Sequence, residues 1–371
     1  MLLFLMSNKT MPMLSPRLRR TQPVLTLLPA LLIPLTLILA CASSSAAALP
    51  QEPEAAVPSR PTELFDIVRV VDGDTVHIQR AGEVEKLRLL SVDTEEKLSG
   101  RGGSATKPET VYGEECALWA QKFFAELVDE GQTPQMGLRF PDGLEERDVY
   151  GRLLCHVILP DGRDFNLMLV ELGKSPYFNK YGNSRICHKA FVAAQKSARA
   201  KQLGIWNPST NKSEDPEAEI AVRPYGRLLP WWQARADAID GFRERKQAEG
   251  EGAPPSRLVA SDMADDLEAA LAGDAPVEVF GQIFRIFDED DGSRTVLFRA
   301  TDKDRALRVR IAKNQLAAHA ALGLDQTLEE FKQNYLYVKG ALTKGERGFE
   351  LRTKGAQAWS KAGPEPQGAR D

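Results

Sequence analysis

The chain has 371 residues, 48 basic against 52 acidic side chains, a formal net charge of −4 and a pI near 5.8. That length accommodates two domains with connecting segments, and that balance excludes a generally basic protein that coats nucleic acid through bulk charge. Any contact with a polyanion has to be made locally.

Arg17, Arg19 and Arg20 precede an apolar run over residues 24–40 and then a string of small residues, which is the order of an export signal. The run ILAC at residues 38–41 resembles a lipoprotein lipobox, in which Cys41 is lipidated, becomes the first mature residue and ties the chain to a membrane of the cell envelope. Cleavage after Ala46-Ala47-Ala48, giving a secreted or periplasmic protein, is the alternative. An uncleaved anchor is a third, although Pro29 and Pro34 interrupt a short span. The lipoprotein reading assigns residues 1–41 to the export signal, and all three readings put the folded part outside the cytoplasm. Residues 42–62, rich in Ala, Ser and Pro, read as a flexible tether.

Residues 72–96 carry Asp72, Asp74, Asp93 and Glu96 together with Arg88. Val68, Val70, Val76 and Ile78 flank an Asp-Gly turn, and Leu87, Leu89 and Leu90 form a second apolar run after a polar hairpin at Ala81 and Gly82. Two neighbouring strands therefore end in acid. Carboxylates gathered this way repel one another unless a cation lies between them, and hard oxygen donors favour calcium or magnesium over zinc. An acidic cup beside an arginine points to phosphate chemistry; an ordinary Asp-Gly turn is the bland alternative.

A polar, glycine-rich loop at residues 99–106 borders this stretch, and residues 112–129 place Leu118, Phe123, Phe124, Leu127 and Val128 at helical spacing. A charged turn at residues 142–148 leads into a strand that begins at Arg152. Residues 166–173 and 184–203 read as helices. The loop between them interleaves Tyr177, Phe178 and Tyr181 with Lys180 and Arg185, a composition suited either to stacking on bases and holding phosphates or to a small core under the loop.

DGDT at residues 72–75, RLLSVDTEE at 88–96, RDVYGR at 147–152 and a helix closing on GIW at 204–206 occur in an order and spacing that resemble the staphylococcal nuclease (thermonuclease) family. The resemblance implies an OB-fold-type barrel over residues 63–208 and a calcium ion held by Asp74, Asp93 and the carbonyl of Thr94, with Asp72 orienting ligands or water. It implies that Arg88 and Arg152 neutralise charge on the pentacovalent phosphorus and that Glu96 orients or deprotonates the attacking water. Substrate would meet Tyr150, Tyr177 and Tyr181, and DNA and RNA, preferably single-stranded, would yield 3′-phosphorylated products. Two residues depart from the family pattern: Val149 stands where many relatives carry a basic residue, and Glu95 replaces a proline. The rival is a nuclease-like scaffold, or a binding module for nucleic acid or protein at the cell envelope. All six metal and catalytic positions here carry the expected residue types, which favours the enzyme.

Residues 209–275 read as a linker with helices, one over residues 230–246 whose Trp231 and Trp232 require burial, and another over 260–271. Residues 276–360 then read as five strands with a helical piece near 327–331 between the third and fourth, the OB-fold order. The expected class is mainly β with helices (α+β), with a nuclease barrel followed by a second barrel lacking the catalytic set and a disordered tail over residues 361–371. Arginines and lysines with Phe284, Phe298 and Tyr337 give the second barrel the composition of a single-strand-binding groove, nearly balanced by acids such as those at residues 288–291. No protein partner is evident. Cys116, Cys155 and Cys187 allow at most one internal disulfide if Cys41 is lipidated. The two Cys-His dipeptides, Cys155-His156 and Cys187-His188, suggest zinc, but neighbours on a strand point to opposite faces and no C-x-x-C or H-x-x-x-H spacing is present, which argues against it.

Overall fold

The computed structural model describes residues 60–100, 103–212, 221–249, 257–273 and 275–366; Cys41, the export signal and most of the proposed tether lie outside the described residues. Strands β1 (Phe65–Val70), β2 (Thr75–Arg80) and β3 (Glu83–Leu89) form an antiparallel meander. The β2–β3 hairpin turns on Ala81 and Gly82, both at positive φ (50° and 87°), as a two-residue turn matched to strand twist requires. β4 (Gln135–Arg139) pairs with β1 and with β5 (Leu153–Ile158), and β5 closes the circle by running parallel to β3, with Leu87 opposite Leu153.

Alternation along these strands turns Val76, Ile78, Leu87, Leu89, Leu153, Cys155 and Val157 into one core. Helix α1 (Val111–Ala125) joins β3 to β4 in the chain, and its Phe124 meets Phe165 of α2 (Phe165–Glu171) at 4.7 Å between ring centres. Helix α3 (His188–Ala200) adds the buried Phe191. Cys116, Cys155 and Cys187 are free thiols, each raised in pKa chiefly by burial.

The segment read as a linker contains α4 (Tyr225–Ala248), longer at its N-terminus than expected. Both of its tryptophans are buried as anticipated: Trp232 meets Phe178 edge-on at 4.8 Å, and Trp231 donates from Nε1 to the Lys332 carbonyl at 2.8 Å. Arg235, also buried, donates to the Lys180 carbonyl at 3.2 Å and to Asn334 at 2.8 Å. α4 is thus the layer through which the two halves of the described chain meet.

The second barrel uses β6 (Leu258–Ala260), α5 (Ala264–Ala270), β7 (Val277–Asp288), β8 (Arg294–Phe298), β9 (Leu307–Ile311), β10 (Tyr335–Lys344), β11 (Phe349–Arg352) and β12 (Trp359–Lys361). β7 through β11 repeat the closure of the first barrel, including a parallel β9–β11 pair, while β6 and β12 extend it at β7 and β10. The chain therefore holds two closed five-stranded barrels with helices, the α+β class expected. The helical connection lies earlier than expected, in short turns between Lys313 and Leu328. Residues 361–366, expected in the tail, are held by the second barrel: Glu365 accepts from the Gln333 amide at 3.1 Å and the Pro364 carbonyl from its side chain at 3.5 Å.

Candidate active site

The β2–β3 register sets Thr75 opposite Arg88, so Asp74, at the foot of β2, lies against the end of β3, where the Leu89 amide donates to the Asp74 carbonyl at 3.0 Å. The chain then turns back, and the Thr94 amide donates to Asp74 Oδ2 at 2.9 Å. Arg88 bridges the two buried carboxylates, pairing with Asp74 through Nη1 and with Asp93 Oδ1 through Nη2 at 2.7 Å. Gly73 is required between the two aspartates of the turn, since a Cβ there would stand 2.5 Å from the Thr94 side chain and 2.9 Å from Cys116 Sγ. A single turn and a single hairpin register thus gather Asp72, Asp74, Arg88, Asp93 and Thr94.

Lys107, from the far side of the glycine-rich loop, donates to Asp93 Oδ1 at 2.9 Å and to Glu96 at 2.8 Å, and so ties the half-exposed Glu96 to the buried pair. Ser175 Oγ accepts from the Asp93 amide at 2.8 Å. The last cation is Arg223, which pairs with Asp93 Oδ2 and donates to the Asp93 carbonyl at 2.8 Å and the Thr106 carbonyl at 3.1 Å. Nothing in the motifs pointed to Lys107 or Arg223. Both reach Asp93 from segments without periodicity, and the only local hint is Glu95, the residue that departs from the family pattern. Buried Glu95 accepts from Thr110 Oγ1 at 2.5 Å, Asn211 at 2.8 Å and the Tyr225 hydroxyl at 3.1 Å, which joins the segment around α4 to the turn between Asp93 and Glu96.

Burial opposes ionisation of Asp74, but Arg88 and Lys107 outweigh it and hold its carboxyl below the usual range. Burial likewise opposes ionisation of Asp93, and Lys107, Arg223 and Arg88 together hold it well below that range. Asp72 differs: burial and the neighbouring Asp74 push it up to about 7, and its Oδ1 accepts the Asp74 amide at 3.1 Å. The hard oxygens of Asp74, Asp93 and the Thr94 carbonyl fit a calcium- or magnesium-type ion.

Arg152 is arranged differently. Its guanidinium is held by Asp148, at 2.8 Å through Nε and 2.7 Å through Nη2, and lies 5.6 Å from the Tyr150 ring centre. Arg152 lies just ahead of β5, and the buried Leu153 that follows it turns it outward, as Arg88 is turned outward on the paired β3; the two arginines share no carboxylate. Tyr150 and Tyr181 are exposed, at 81% and 66%, and available to a ligand. Tyr177 is not, which corrects the expectation that it stacks on a base. Its ring is buried and lies parallel to Phe191 at 5.0 Å, and its hydroxyl is shared with His188 at 2.9 Å. In the same loop Arg185 is already paired with Asp142 at 2.7 Å and Glu146 at 2.8 Å.

Three of the second barrel's arginines are paired with acids: Arg294 with Asp288 and Asp325, Arg305 with Asp265, and Arg310 with Asp291. Phe298 and Tyr337 are buried, leaving Phe284 as the exposed ring of the three. The zinc argument from adjacency overlooked one arrangement: the fold brings together one half of each Cys-His dipeptide, with ligand atoms of His156, Asp164 and Cys187 within 4.8 Å. Asp164 is already engaged there, taking His156 Nδ1 at 2.6 Å and capping α2 through the Leu167 amide at 3.1 Å.

Residues 86–208 match the family described as staphylococcal nuclease homologue. The thermonuclease of Staphylococcus intermedius is 31% identical over 146 residues, 39% of this chain and 76% of that protein. The uncharacterized protein MJ1439 of Methanocaldococcus jannaschii is 30% identical over 156 residues, 39% of this chain and 72% of the other. Endonuclease YhcR of Bacillus subtilis is 32% identical over 181 residues, 48% of this chain but only 14% of YhcR, so this chain spans a small part of that longer relative.

Proposed function

The chain belongs to the staphylococcal nuclease family, and from that premise we propose that it is a calcium-dependent nuclease hydrolysing phosphodiester bonds of DNA and RNA, with 3′-phosphorylated products. The observation that carries the reading is the buried Asp74–Arg88–Asp93 bridge with Glu96 attached through Lys107. Asp74, Asp93 and the Thr94 carbonyl would hold the ion, with Asp72 behind them. When bound, the ion supplies a Lewis acid that polarises a phosphoryl oxygen.

The remaining work falls to the chain's own side chains. Arg88 presents a planar fork fixed at both ends by carboxylates, so its charge is oriented before substrate arrives and costs little reorganisation as negative charge builds on phosphorus. Arg152, steered by Asp148 and Tyr150 in the turn that leads into β5, supplies a second positive group. Glu96, partly open to solvent and linked to Lys107, is suited to orient a water or take its proton. Exposed Tyr150 and Tyr181 offer faces for unpaired bases, which supports a preference for single strands. Hydrolysis of single-stranded DNA and RNA should stop in excess chelator, return with calcium, and be lost in Asp74→Asn; undiminished activity in chelator would remove the metal from the account.

The order of arginines, apolar run and ILAC supports export with lipid attached at Cys41. Intact mass of the mature chain tests this, and an unlipidated chain beginning at Leu49 would refute it.

A further inference from the structure

Arg223 lies 130 residues from Asp93 and outside residues 86–208 that match the nuclease family, yet it is among the most enclosed charged groups of the site, its side chain 2% exposed. Its guanidinium meets the Asp93 carboxylate, the Asp93 carbonyl and the Thr106 carbonyl, and lies 5.6 Å from the Tyr225 ring centre and 5.3 Å from that of Trp232. Tyr225 and Asn211 both donate to Glu95, two residues beyond Asp93, so the backbone that delivers Arg223 is fastened to the motif it enters. An arginine with aromatic neighbours and three oxygen acceptors has little freedom to leave.

Lys107 is held less firmly. It is 24% exposed, its ammonium is shared between Asp93 and Glu96, and its flexible stem lets it withdraw toward Glu96 and water. A divalent ion approaching Asp93 therefore competes at Oδ1 with Arg88 and the mobile Lys107, and at Oδ2 with the fixed Arg223.

We propose that Arg223, supplied by the segment that follows the nuclease fold, is a positioning residue of the metal site: it fixes Asp93 through Oδ2 and the Asp93 carbonyl, and weakens that carboxylate's hold on a divalent cation by its own charge. The inference rests on the reading of Asp74 and Asp93 as metal ligands. Like charges in a partly enclosed site interact strongly, because the surroundings screen them far less than water does.

The test uses the full chain and calcium alone, titrated by calorimetry, with terbium luminescence as a second reading. Arg223→Gln, and Arg223→Met, which keeps an unbranched stem beside the rings, should each bind calcium at least about 10-fold more tightly than wild type. Arg223→Lys, which keeps the charge, should stay within about 3-fold of wild type. Neutral variants that retain the wild-type near-ultraviolet dichroism but bind calcium no more tightly would overturn the role of Arg223 while leaving the metal site standing. Asp93→Asn provides the separate control: calcium affinity unchanged in that variant would put the ion elsewhere and overturn the ligand reading together with the proposal.

Discussion

Replacing Glu95 tests whether the segment around α4 is fastened to the catalytic motif or merely rests beside it. Glu95 is buried and accepts three hydrogen bonds, two at Oε2 from Thr110 and Asn211 and one at Oε1 from Tyr225. Hydrogen bonds to a charged acceptor contribute about 1.5–3 kcal/mol each, and an unsatisfied buried donor costs a comparable amount. Glu95→Gln keeps the shape and one acceptor oxygen but turns an NH2 group toward one of the donors, which sacrifices one bond and the charge assistance of the others, about 2 kcal/mol. Glu95→Ala removes all three acceptor contacts; Asn211, only partly buried, regains water, so about 4 kcal/mol is expected. Thr110 also caps α1 by accepting the Gly113 amide at 3.0 Å, so the loss extends into that helix. Urea unfolding followed by tryptophan fluorescence measures both variants, and a Glu95→Gln, Tyr225→Phe double-mutant cycle isolates the link to α4, expected at about 1 kcal/mol of coupling. A Glu95→Gln protein within about 0.5 kcal/mol of wild type would refute the reasoning.

Gly113→Ala should cost at least about 2 kcal/mol and lower turnover by about 10-fold or more, because the new Cβ would stand 2.1 Å from the Glu96 carbonyl oxygen, backbone that cannot step aside without moving Glu96; thermal unfolding and initial rates measure the two effects. Arg88→Lys and Arg152→Lys should each reduce turnover by about 10²-fold with smaller changes in KM, read from steady-state kinetics, since a point charge does not reproduce the fork. Lys180, 4.7 Å from the Trp231 ring centre, is pushed down from 10.5 to about 8, first by burial and then by Arg235. Its folded pKa is depressed, so the unfolded chain binds the proton more tightly and the penalty on the folded state is fully present below about pH 8, fading as pH rises toward 10.5. Lys180→Met should therefore be more stable than wild type by about 1–3 kcal/mol at neutral pH, with the gap closing by about pH 10 in urea titrations.

The barrel and the core of the site were legible because both are written locally. An Asp-Gly turn and a two-residue hairpin fix the register that puts Asp74 beside Arg88, and five residues of chain carry Asp93 back to the same place. The second barrel was legible for the same reason, through alternation and the position of one helical connection. Tyr177 was misread because interleaved aromatic and basic residues look alike in a binding loop and in a loop folded onto a helix; Phe191, which decides between the two, lies fourteen residues away on α3. Arg223 was invisible for a stronger reason. Its partners come from residues 93, 106, 225 and 232, and no spacing rule connects them. Glu95 looked like a mild defect in the motif when taken alone, and becomes intelligible only with Asn211 and Tyr225 present.

The 130-residue separation between Asp93 and Arg223 also bears on the order of events as the chain folds. Contacts so distant in sequence close late, after the local hairpins and the first barrel have gathered, because a long loop must lose its freedom before the contact repays it. As the chain folds, the acidic turn is therefore formed before the arginine that will face Asp93 docks. The first barrel without Arg223 holds a more negative cluster than the folded protein does, and docking of the segment around α4 is the step that gives the centre its final electrostatic balance.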